Sequence, residues 1–410
     1  MIEKLRFALL TDEYLPSGTR VHSKMFHELA IELQKRGHEP IIITPGHANQ
    51  KSMLFVDSYQ GIEVWRFRSG RTRGVGLVMR AINERLLPTL AWIAIRREVR
   101  KNGFDICINY SPTIFFGLLA KKLRSRGAFV YLILRDMFPQ WIIDQGIIGK
   151  NSPIAAIFRY YEMINYKTSN SIALQSEANL IYFKEKFPQF TNTEILMNWA
   201  SEDNNFEVSS YQPIRQKLQL EGKIIFFYGG NLGRAQDMFN IIKLAHRLNM
   251  NEDIHFLLVG DGDEKELVRE YISMHSLSNT TLLPSVSQGE FNKILSEIDV
   301  GLFSLSRNHT AHNFPGKILG YMSNSIPILG SINPHNDLKP LINSSGAGYV
   351  FINGEDDELY NAALTLSKDE DLRKRIGSRS KDLLLKEFSI KSAVDKILLS
   401  ANSFIQVQRN

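Results

Sequence analysis

The chain has 410 residues, of which 43% are hydrophobic and 22% charged, and its net charge is +6. This length exceeds a usual single core and predicts roughly two to three domains, and the composition is that of a globular protein, not of a disordered one. The single cysteine, Cys107, excludes an internal disulfide and favours a reducing compartment; its apolar surroundings predict a buried, inert thiol.

The first half of the chain alternates strand-like and helix-like segments. It begins with a strand-like run, without the apolar segment and cleavage site of a secretory signal, so we expect a cytoplasmic protein. Strands separated by helices predict a parallel, doubly wound sheet. The predicted strands of this series are residues 5–10, 39–44, 62–67, 105–109, 129–134, 171–174 and 194–197.

The turn after the first strand contains Gly18 and precedes a helix predicted over residues 22–35. A glycine there lets a sugar or an acceptor approach the backbone closely, and His22 is predicted on the first helical turn, facing a cleft. A plain strand-to-helix connection capped by Ser17 or Thr19 is an equally good interpretation.

Positive charge is concentrated in residues 63–126, which hold fourteen basic and four acidic residues. The apolar segments 77–82 and 86–95 lie in this region, and the longer one is about half the length of a membrane-spanning helix. Such segments beside arginines suit a helix on an anionic membrane surface; a helix packed on a sheet with its cationic side in water is an equally good interpretation. Nucleic acid is not expected as a partner, because no nucleic-acid-binding motif is present.

Arg135 and Asp136 directly follow the strand predicted over residues 129–134. Asp136 would therefore emerge at the carboxyl edge of the sheet, where a base or a hydroxyl-binding group is useful. Asp136 and His22 are the candidate catalytic residues. A structural ion pair between Arg135 and Asp136 is the competing interpretation.

The polar segment 201–211 lacks periodicity and is the best candidate for a linker. A second alternation of strands and helices follows it. The predicted fold class is therefore α/β, with two Rossmann-like, doubly wound parallel-sheet domains facing a central cleft at the carboxyl ends of their strands. The predicted strands of the second series are residues 223–228, 254–259, 281–283, 300–305, 326–329 and 348–352.

Two glycine-rich turns follow the first two strands of this second series. Residues 228–236 include Gly230, Asn231 and Arg234, and an arginine there is able to clamp a diphosphate, although it could equally be a solvated loop charge. The glycine spacing is not that of a dinucleotide site. Residues 259–264 end in acidic side chains that suit the first turn of a helix better than a metal site, so no metal is expected.

The most informative segment is the loop 313–317, which lies between the predicted strand 300–305 and a helix-like segment that begins at Ile318. Free N–H groups and the helix dipole converge at such a helix start, and Lys317 adds a cation. The loop therefore predicts a phosphate pocket and a nucleotide-linked substrate.

In order and spacing these motifs together resemble the retaining glycosyltransferases of family 4, which have the GT-B fold, over nearly the whole chain. More narrowly, they resemble bacterial O-antigen and capsule sugar transferases, including those thought to handle N-acetyl-L-fucosamine. The matching pieces are Gly18 with residues 35–39 (KRGHE), then 135–139 (RDMFP), 196–199 (LMNW), 230–234 (GNLGR), 259–262 (VGDG), 314–317 (FPGK) and 326–329 (IPIL).

The resemblance implies an acceptor-binding domain over residues 1–200 with a basic membrane-facing region, a nucleotide-sugar-binding domain over 201–387, and a helix over 388–410 that crosses back to the first domain. It also implies a UDP-sugar donor, held mainly by the second domain without a cofactor. Arg234 and Lys317 would contact the diphosphate, the backbone at Ser285 and Val286 would hold the uracil, and Gly18 would lie near the donor phosphates. The other residues expected at the donor are Gly230, Asn231, His312, Phe314, Pro315, Gly316 and Ile318.

The expected activity is the retaining transfer of a sugar, such as an N-acetylated deoxyhexosamine, to a polyprenyl-diphosphate-linked saccharide. Acceptor and basic region together predict a protein attached peripherally to the inner face of the cytoplasmic membrane. A UDP-sugar epimerase of the same fold and a non-catalytic nucleotide-sugar-binding protein are the alternatives.

One position departs from the family pattern. The family often carries two glutamates eight positions apart around this loop, and the second holds the donor ribose; here the two positions are His312 and Gly320. A carboxylate cannot bind the ribose from Gly320, so a neighbour would have to replace it or the donor would have to bind differently. His309 and His312 are candidates for touching the sugar, and exposed loop histidines are an equally good interpretation.

Overall fold

The computed structural model of the chain describes residues 4–409, except residues 19–20, 47–48, 73, 112, 145, 147, 201–210 and 309–313. The chain divides into two units: Met1–Met197 with Ile390–Asn410, and Asn198–Ser389. Each unit has its own sheet, and the two are called here the first unit and the second unit.

The sheet of the first unit consists of strands that are mostly buried over their whole length. They are β1 (Arg6–Leu10), β2 (Glu39–Pro45), β3 (Leu54–Tyr59), β4 (Ile62–Phe67), β5 (Ile106–Ser111), β6 (Phe129–Leu134), β7 (Ser171–Leu174) and β8 (Thr193–Ile195). Their order is β3-β4-β2-β1-β5-β6-β7-β8, and all neighbours except β3 and β4 are parallel. Strands buried on both faces give the continuous apolar runs from which a parallel sheet is predicted.

Strand β3 is absent from the sequence prediction. It pairs antiparallel with β4 through a tight turn in which Gln60 has a φ of 48° and Gly61 a φ of 82°. Two positive φ values in a two-residue turn match the twist of a hairpin. The strand lies at the edge of the sheet and leaves Phe55 and Val56 about half exposed, so it lacks the apolar signal of its neighbours.

Helices cover the sheet of the first unit. Cys107 lies buried in β5, and burial raises the pKa of its thiol. The long second helix packs Leu87, Ala91 and Ile95 into the core. Among the described residues, no helix is long and apolar enough to cross a membrane. The helices are α1 (Val21–Lys35), α2 (Leu77–Lys101), α3 (Gly117–Arg124), α4 (Gln140–Asp144), α5 (Pro153–Thr168) and α6 (Glu177–Lys186).

Glu162 on α5 is a buried carboxyl group that gives a testable pH dependence of stability. Burial raises its pKa from 4.5 to about 7, although the Tyr166 hydroxyl, which donates to Oε1 at 2.9 Å, and Arg159 both oppose the rise. Between those values the folded state binds more protons than the unfolded state, so stability falls as pH rises through that window. We expect Glu162→Gln to raise the melting temperature at about pH 8 and to leave it nearly unchanged at about pH 4, where both states are protonated. Thermal unfolding followed by circular dichroism checks this, and a lower melting temperature at the higher pH would contradict it.

The second unit is built on a six-stranded parallel sheet with the order β11-β10-β9-β12-β13-β14. Its strands are β9 (Ile224–Asn231), β10 (Ile254–Asp261), β11 (Thr280–Leu283), β12 (Val300–Ser304), β13 (Ile328–Ile332) and β14 (Gly348–Ile352). Its helices are α7 (Ile214–Lys217), α8 (Met238–Arg247), α9 (Lys265–Met274), α10 (Gln288–Leu295), α11 (Lys317–Ser323), α12 (Leu338–Ser345), α13 (Asp356–Lys368) and α14 (Glu370–Glu387), with a 3₁₀ helix at Arg234–Gln236.

The last helix, α15 (Ile390–Arg409), belongs to the first unit. Its Asp395 forms an ion pair with Arg36 at the end of α1. Its Lys396 donates to the carbonyl oxygen of Ile195, at the end of β8, at 3.2 Å. The C-terminal helix is therefore held against the first unit at two places, the end of α1 and the end of β8.

Candidate functional site

The carboxyl edge of the second sheet brings together the loops that the sequence singles out. Strand β9 lies between β10 and β12, so the loops that follow these three strands are neighbours. The amide of Ser306, after β12, donates to the carbonyl oxygen of Ala235, after β9, at 2.9 Å. β9 also extends through Gly230 and Asn231, which pair with Gly260 and Asp261, so part of the predicted turn is strand.

Lys317 begins α11 and lies against this edge with its amine buried. Its Nζ is 3.2 Å from the centroid of the Tyr228 ring, at the end of β9. A Cβ built on Gly230 would lie 3.8 Å from the same Nζ, so the glycine backbone is also close. Within the described residues this buried amine has no hydrogen-bond partner.

The environment of Lys317 disfavours its charge. Burial lowers the pKa of the amine well below 10.5, since no carboxylate in the described part of the chain compensates for the lost hydration. The face of an aromatic ring attracts a cation, but this contact is worth only about 2 kcal/mol even when desolvated. An anion placed at Nζ would restore the missing interaction, which makes Lys317 the strongest candidate for a phosphate ligand in the second unit.

Glycine is required where the first two turns approach each other. Gly230 has a φ of +122°, in the left-handed region that favours glycine. A Cβ on Gly260 would lie 1.8 Å from the carbonyl oxygen of Gly230, closer than any real contact. The two glycines therefore set the position of the backbone beside Lys317.

Arg234 has a different environment from Lys317. Its side chain is 87% exposed, and its Nε lies 3.5 Å from Oδ2 of Asp263. An exposed pair of this kind is weak and open to exchange. The nearby Asn231 side chain donates to Oε1 of Gln236 at 2.7 Å and so helps to hold the turn.

Some of the other residues expected at the sugar donor have contacts within the protein, and others are exposed. Phe314 is buried, with its ring centroid 6.3 Å from that of Phe388. The amide of Ile318 donates to the carbonyl oxygen of Pro315 at 3.2 Å, so this N–H, which sequence reasoning offered to a phosphate, already has a partner. Pro315 and Gly316 are half-buried; Ser285 is exposed and Val286 half-buried in the loop after β11. His309, His312 and Asn313 lie outside the described residues.

Gly320 lies on the second turn of α11, where the resemblance implies a ribose-binding glutamate. A Cβ built at this position would be 3.0 Å from Cδ1 of Leu295, at the end of α10. A longer side chain at position 320 would therefore displace Leu295. The packing around position 320 therefore suits glycine, and this position supplies no carboxylate to a ribose.

The candidate catalytic residues of the first unit lie at the carboxyl edge of the first sheet. His22 is 5% exposed, and its Nε2 is 3.1 Å from Oδ1 of Asp12. Its ring centroid is 5.1 Å from that of Tyr110, in β5. Sequence reasoning placed His22 on the first helical turn, and its contacts there are with Asp12 and Tyr110.

Asp136 follows β6 directly. Burial raises the pKa of its carboxyl group, and Arg135 opposes the rise. The two residues form no ion pair within 4 Å in the described structure, so the competing structural interpretation lacks the contact it requires. A carboxyl group with a raised pKa is suited to exchange protons or to hold a hydroxyl group.

A cavity of about 460 Å³ opens at the ends of β1, β2 and β4, and Asp12, which contacts His22, is part of its lining. Its lining includes Asp12, Glu13, Ser17, Arg66 and Arg71. Hydroxyl, carboxylate and guanidinium groups around one cavity are typical of a site for a polar ligand.

Gly18 lies in the turn next to this cavity and is buried. A Cβ at Gly18 would lie 2.5 Å from Oγ of Ser23 and 2.9 Å from Cγ of Glu13. Close packing within the turn thus accounts for this glycine in the first unit itself.

Two residues of these sites, Tyr228 and Asp12, have no role in the predictions from sequence. Tyr228 lies under the Lys317 amine, and its hydroxyl donates to the carbonyl oxygen of Asn231 at 2.7 Å. Asp12 contacts His22 and lines the cavity. The available signal for both was their place at the end of a predicted strand, directly before a turn rich in glycine or proline.

Comparison with known proteins finds a family match within the second unit. Residues 210–383, which include Lys317 and both glycine-rich turns, match the model of the family Glycosyl transferases group 1. The probable glycosyltransferase WbjE of Pseudomonas aeruginosa is 25% identical over 62% of this chain and 64% of its own length. The putative colanic acid biosynthesis glycosyl transferase WcaI of Escherichia coli K12 is 24% identical over 53% of this chain and 55% of its own length. The chain thus spans less than two thirds of either relative.

Solved structures with the same architecture cover nearly the whole chain. Sucrose-phosphate synthase from Thermosynechococcus elongatus has a TM-score of 0.72 at 12% identity, over 99% of this chain and 98% of its own. Anabaena Alr3699/HepE in complex with UDP and glucose has a TM-score of 0.68 at 14% identity, over 97% and 100%. WaaG, a glycosyltransferase involved in lipopolysaccharide biosynthesis, has a TM-score of 0.64 at 11% identity, over 96% and 99%.

These comparisons confirm the predicted fold class, two parallel-sheet α/β domains of the GT-B fold. They also confirm the resemblance to group 1 glycosyl transferases over residues 210–383, and the similarity to WbjE and WcaI is to bacterial glycosyltransferases. The narrower resemblance to N-acetyl-L-fucosamine transferases stays a prediction.

Proposed function

We propose that this chain, whose residues 210–383 match the group 1 glycosyl transferases, is a hexosyltransferase-type glycosyltransferase. It moves a sugar from a UDP-sugar, with retention of configuration, to a polyprenyl-diphosphate-linked saccharide in the synthesis of a bacterial surface polysaccharide. The family match and the similarity to WbjE and WcaI support the reaction class and its setting. The similarity to HepE, whose structure contains UDP and glucose, supports the donor.

The observation that carries the proposal is the buried Lys317 amine without a hydrogen-bond partner. A buried cation is costly unless an anion compensates for it, and the described part of the second unit supplies none. The amine also lies beside Gly230, where a ligand is able to approach the backbone closely. A diphosphate meets both requirements, because it brings negative charge and little bulk.

The same arrangement suits the departure of a nucleoside diphosphate. Negative charge grows on the diphosphate as the bond to the sugar breaks, and a cation already in place in a low-dielectric site stabilises that charge most strongly in the transition state. Lys317 supplies the buried cation. Arg234 supplies a second, more mobile one, which would exchange Asp263 for the diphosphate.

We assign the acceptor to the first unit. The 460 Å³ cavity offers Asp12, Glu13 and Arg71 to a polar saccharide. Asp136 and His22, at the same sheet edge, are the candidates for holding or deprotonating a sugar hydroxyl, since burial raises the pKa of Asp136.

A lipid-linked acceptor requires contact with a membrane, and α2 offers a suitable surface. Met79, Ile82, Leu86 and Ile93 are each 43–52% exposed, and their spacing of three, four and seven residues places them on one face of the helix. Exposed arginines of the same helix include Arg80, Arg85, Arg96, Arg97 and Arg100. Apolar side chains beside cations are the combination that binds an anionic bilayer surface.

A transfer assay tests the proposed function. Purified protein is incubated with a panel of UDP-sugars that carry a radiolabelled sugar and with polyprenyl-diphosphate-linked saccharides. Label that appears in the lipid fraction supports the transferase. Conversion of one free UDP-sugar into another supports an epimerase instead, and binding of UDP without turnover of any sugar supports a non-catalytic protein.

Arg234→Ala should weaken UDP binding by about 5- to 30-fold, because an exposed charge contributes roughly 1–2 kcal/mol to a phosphate contact. The effect should shrink as salt concentration rises, since exposed charges are screened. Isothermal titration calorimetry at low and high salt checks both expectations. Arg269→Ala, which removes an exposed arginine of α9 that pairs with Glu266, is the control. Equal UDP affinity in Arg234→Ala and the control would remove Arg234 from the donor site.

Membrane binding should depend on the apolar face of α2. Replacing Met79, Ile82 and Leu86 together with serine should lower binding to vesicles with anionic lipids by at least about tenfold, because each buried apolar side chain contributes roughly 1.5–3 kcal/mol. The control replaces the exposed Met250 and Met274 of the second unit with serine. Sedimentation with vesicles at low salt measures both, and equal binding of the two variants would contradict the assignment.

A further inference from the structure

Arg135 is a buried cation that nothing in the proposed transfer uses. It follows β6 directly and is 8% exposed. Its Nη2 donates to the carbonyl oxygen of Met197 at 3.3 Å, which is a long contact. Its Nε and Nη1 are buried without a partner in the described structure. Most of the donor capacity of this guanidinium is therefore unused.

Arg66 shows how the same unit treats a buried arginine that has a structural role. It is 4% exposed, and its Nε donates to Oδ2 of Asp57 at 3.0 Å. Its Nη2 donates to the carbonyl oxygen of Leu15 at 2.8 Å. Arg66 thus has both a carboxylate and a short backbone contact, whereas Arg135 has neither.

The neighbours of Arg135 do not neutralise it. The groups that interact with it electrostatically are Tyr110, Tyr131 and Asp136. A stable ion pair would lower the pKa of Asp136, but burial outweighs the attraction of Arg135 and raises it. Burial lowers the pKa of Arg135 to about 10, so the guanidinium remains charged at neutral pH.

We propose that Arg135 is the anion receptor of a binding site at the carboxyl edge of the first sheet, and that this site takes a phosphate or carboxylate oxyanion. A guanidinium presents five donors in a plane, which match the oxygens of these two groups better than those of any neutral ligand. The inference does not depend on the proposed transfer, since it concerns a charge in the first unit that requires compensation in any function.

Tyr110 relates Arg135 to the residues around the cavity. Tyr110, which interacts with Arg135, also packs its ring 5.1 Å from that of His22. His22 in turn contacts Asp12, which lines the cavity. Tyr110 therefore interacts with both Arg135 and His22 at the carboxyl edge of the first sheet.

The first test measures stability without a ligand. Replacing a structural arginine lowers the melting temperature. Replacing a buried arginine whose charge is uncompensated does not lower it, because that charge destabilises the free protein. We expect Arg66→Met to lower the melting temperature by several degrees and Arg135→Met to leave it unchanged or raise it. A decrease in Arg135→Met as large as that in Arg66→Met would show a structural role and overturn the proposal.

The second test measures anion binding with defined probes. It uses the full chain with Lys317→Met, because Lys317 is a second buried cation that would also take phosphate. Methyl phosphate and glucuronate are added separately, with sodium chloride at equal ionic strength as the reference. We expect at least one of them to raise the melting temperature in Lys317→Met and neither to do so in Arg135→Met/Lys317→Met.

The identity of the effective probe tells whether the natural ligand carries a phosphate or a carboxylate. An equal rise in the single and double variants would place the anion elsewhere and overturn the proposal. The absence of a rise with both probes in the single variant would overturn it as well. Neither result would bear on UDP binding by the second unit, since Lys317 is already removed in this background.

Discussion

Lys317→Met is expected to lower UDP affinity by at least about 100-fold and to abolish sugar transfer, because a charge-assisted contact to phosphate in a buried site is worth roughly 3 kcal/mol or more. Methionine keeps most of the apolar stem that packs on Tyr228, so the fold should survive. The folded protein should even gain stability, since a buried amine without a hydrogen-bond partner is removed.

Lys317→Met also allows a test of protonation, which distinguishes a lysine that binds the diphosphate from one with only a structural role. Burial lowers the pKa of the amine in the free protein, and a bound diphosphate would raise it again. UDP binding should therefore take up protons at pH values between the lowered pKa of the free protein and the higher pKa of the complex. Calorimetry in buffers with different ionisation enthalpies measures this uptake, and it should disappear in Lys317→Met.

Lys368→Met is the matched control, because Lys368 ends α13 and is exposed. It should bind UDP with unchanged affinity and with the same proton uptake as the unaltered chain. If Lys317→Met also retained both properties, the assignment of Lys317 to the diphosphate would be wrong.

Gly260→Ala should also weaken UDP binding, although it changes no charge. The added Cβ would lie 1.8 Å from the carbonyl oxygen of Gly230, so β9 and β10 would have to separate at the edge where Lys317 lies. Overpacking of this kind costs about 1–3 kcal/mol in stability. We expect a lower melting temperature and a UDP affinity reduced by at least about tenfold, because the backbone beside the amine moves.

Gly103→Ala separates this effect from the general cost of replacing a glycine. A Cβ at Gly103 would meet no atom within 4 Å. Differential scanning calorimetry and UDP titration should show almost no change for this control. Unchanged UDP affinity in Gly260→Ala would mean that the approach of the two glycine turns is irrelevant to the ligand.

The fold was largely predictable because its signals are local. Strands such as β6 are buried over their whole length and give continuous apolar runs, and helices lie between them, so two parallel sheets follow from the sequence. The hairpin strand β3 escaped prediction because it is an edge strand with exposed Phe55 and Val56. Its best local signal was the dipeptide Gln60–Gly61, which forms the turn.

The candidate donor site was predictable in its residue types but not in its environment. Lys317 and Arg234 both follow strands of the second sheet, which suggested that they act alike. Only tertiary packing shows that the Lys317 amine is buried on Tyr228, whereas Arg234 is 87% exposed. Burial of a side chain depends on which elements meet, and a local sequence pattern does not contain this information.

The predictions about backbone and neighbour contacts were limited for the same reason. The amide of Ile318 has the carbonyl oxygen of Pro315 as its partner, a detail set by the geometry of one turn. The Arg135–Asp136 pair was a reasonable interpretation of adjacent opposite charges. Adjacent side chains do not generally face each other, however. Burial lowers the pKa of Arg135 and raises the pKa of Asp136, so it disfavours the charged form of both groups.

The structure of the chain crystallised with UDP would test the central claim most directly. We predict that Nζ of Lys317 lies roughly 3 Å from a diphosphate oxygen, which is the distance of a charge-assisted hydrogen bond. UDP bound elsewhere, with the Lys317 amine still on the Tyr228 ring and no phosphate near it, would contradict the account.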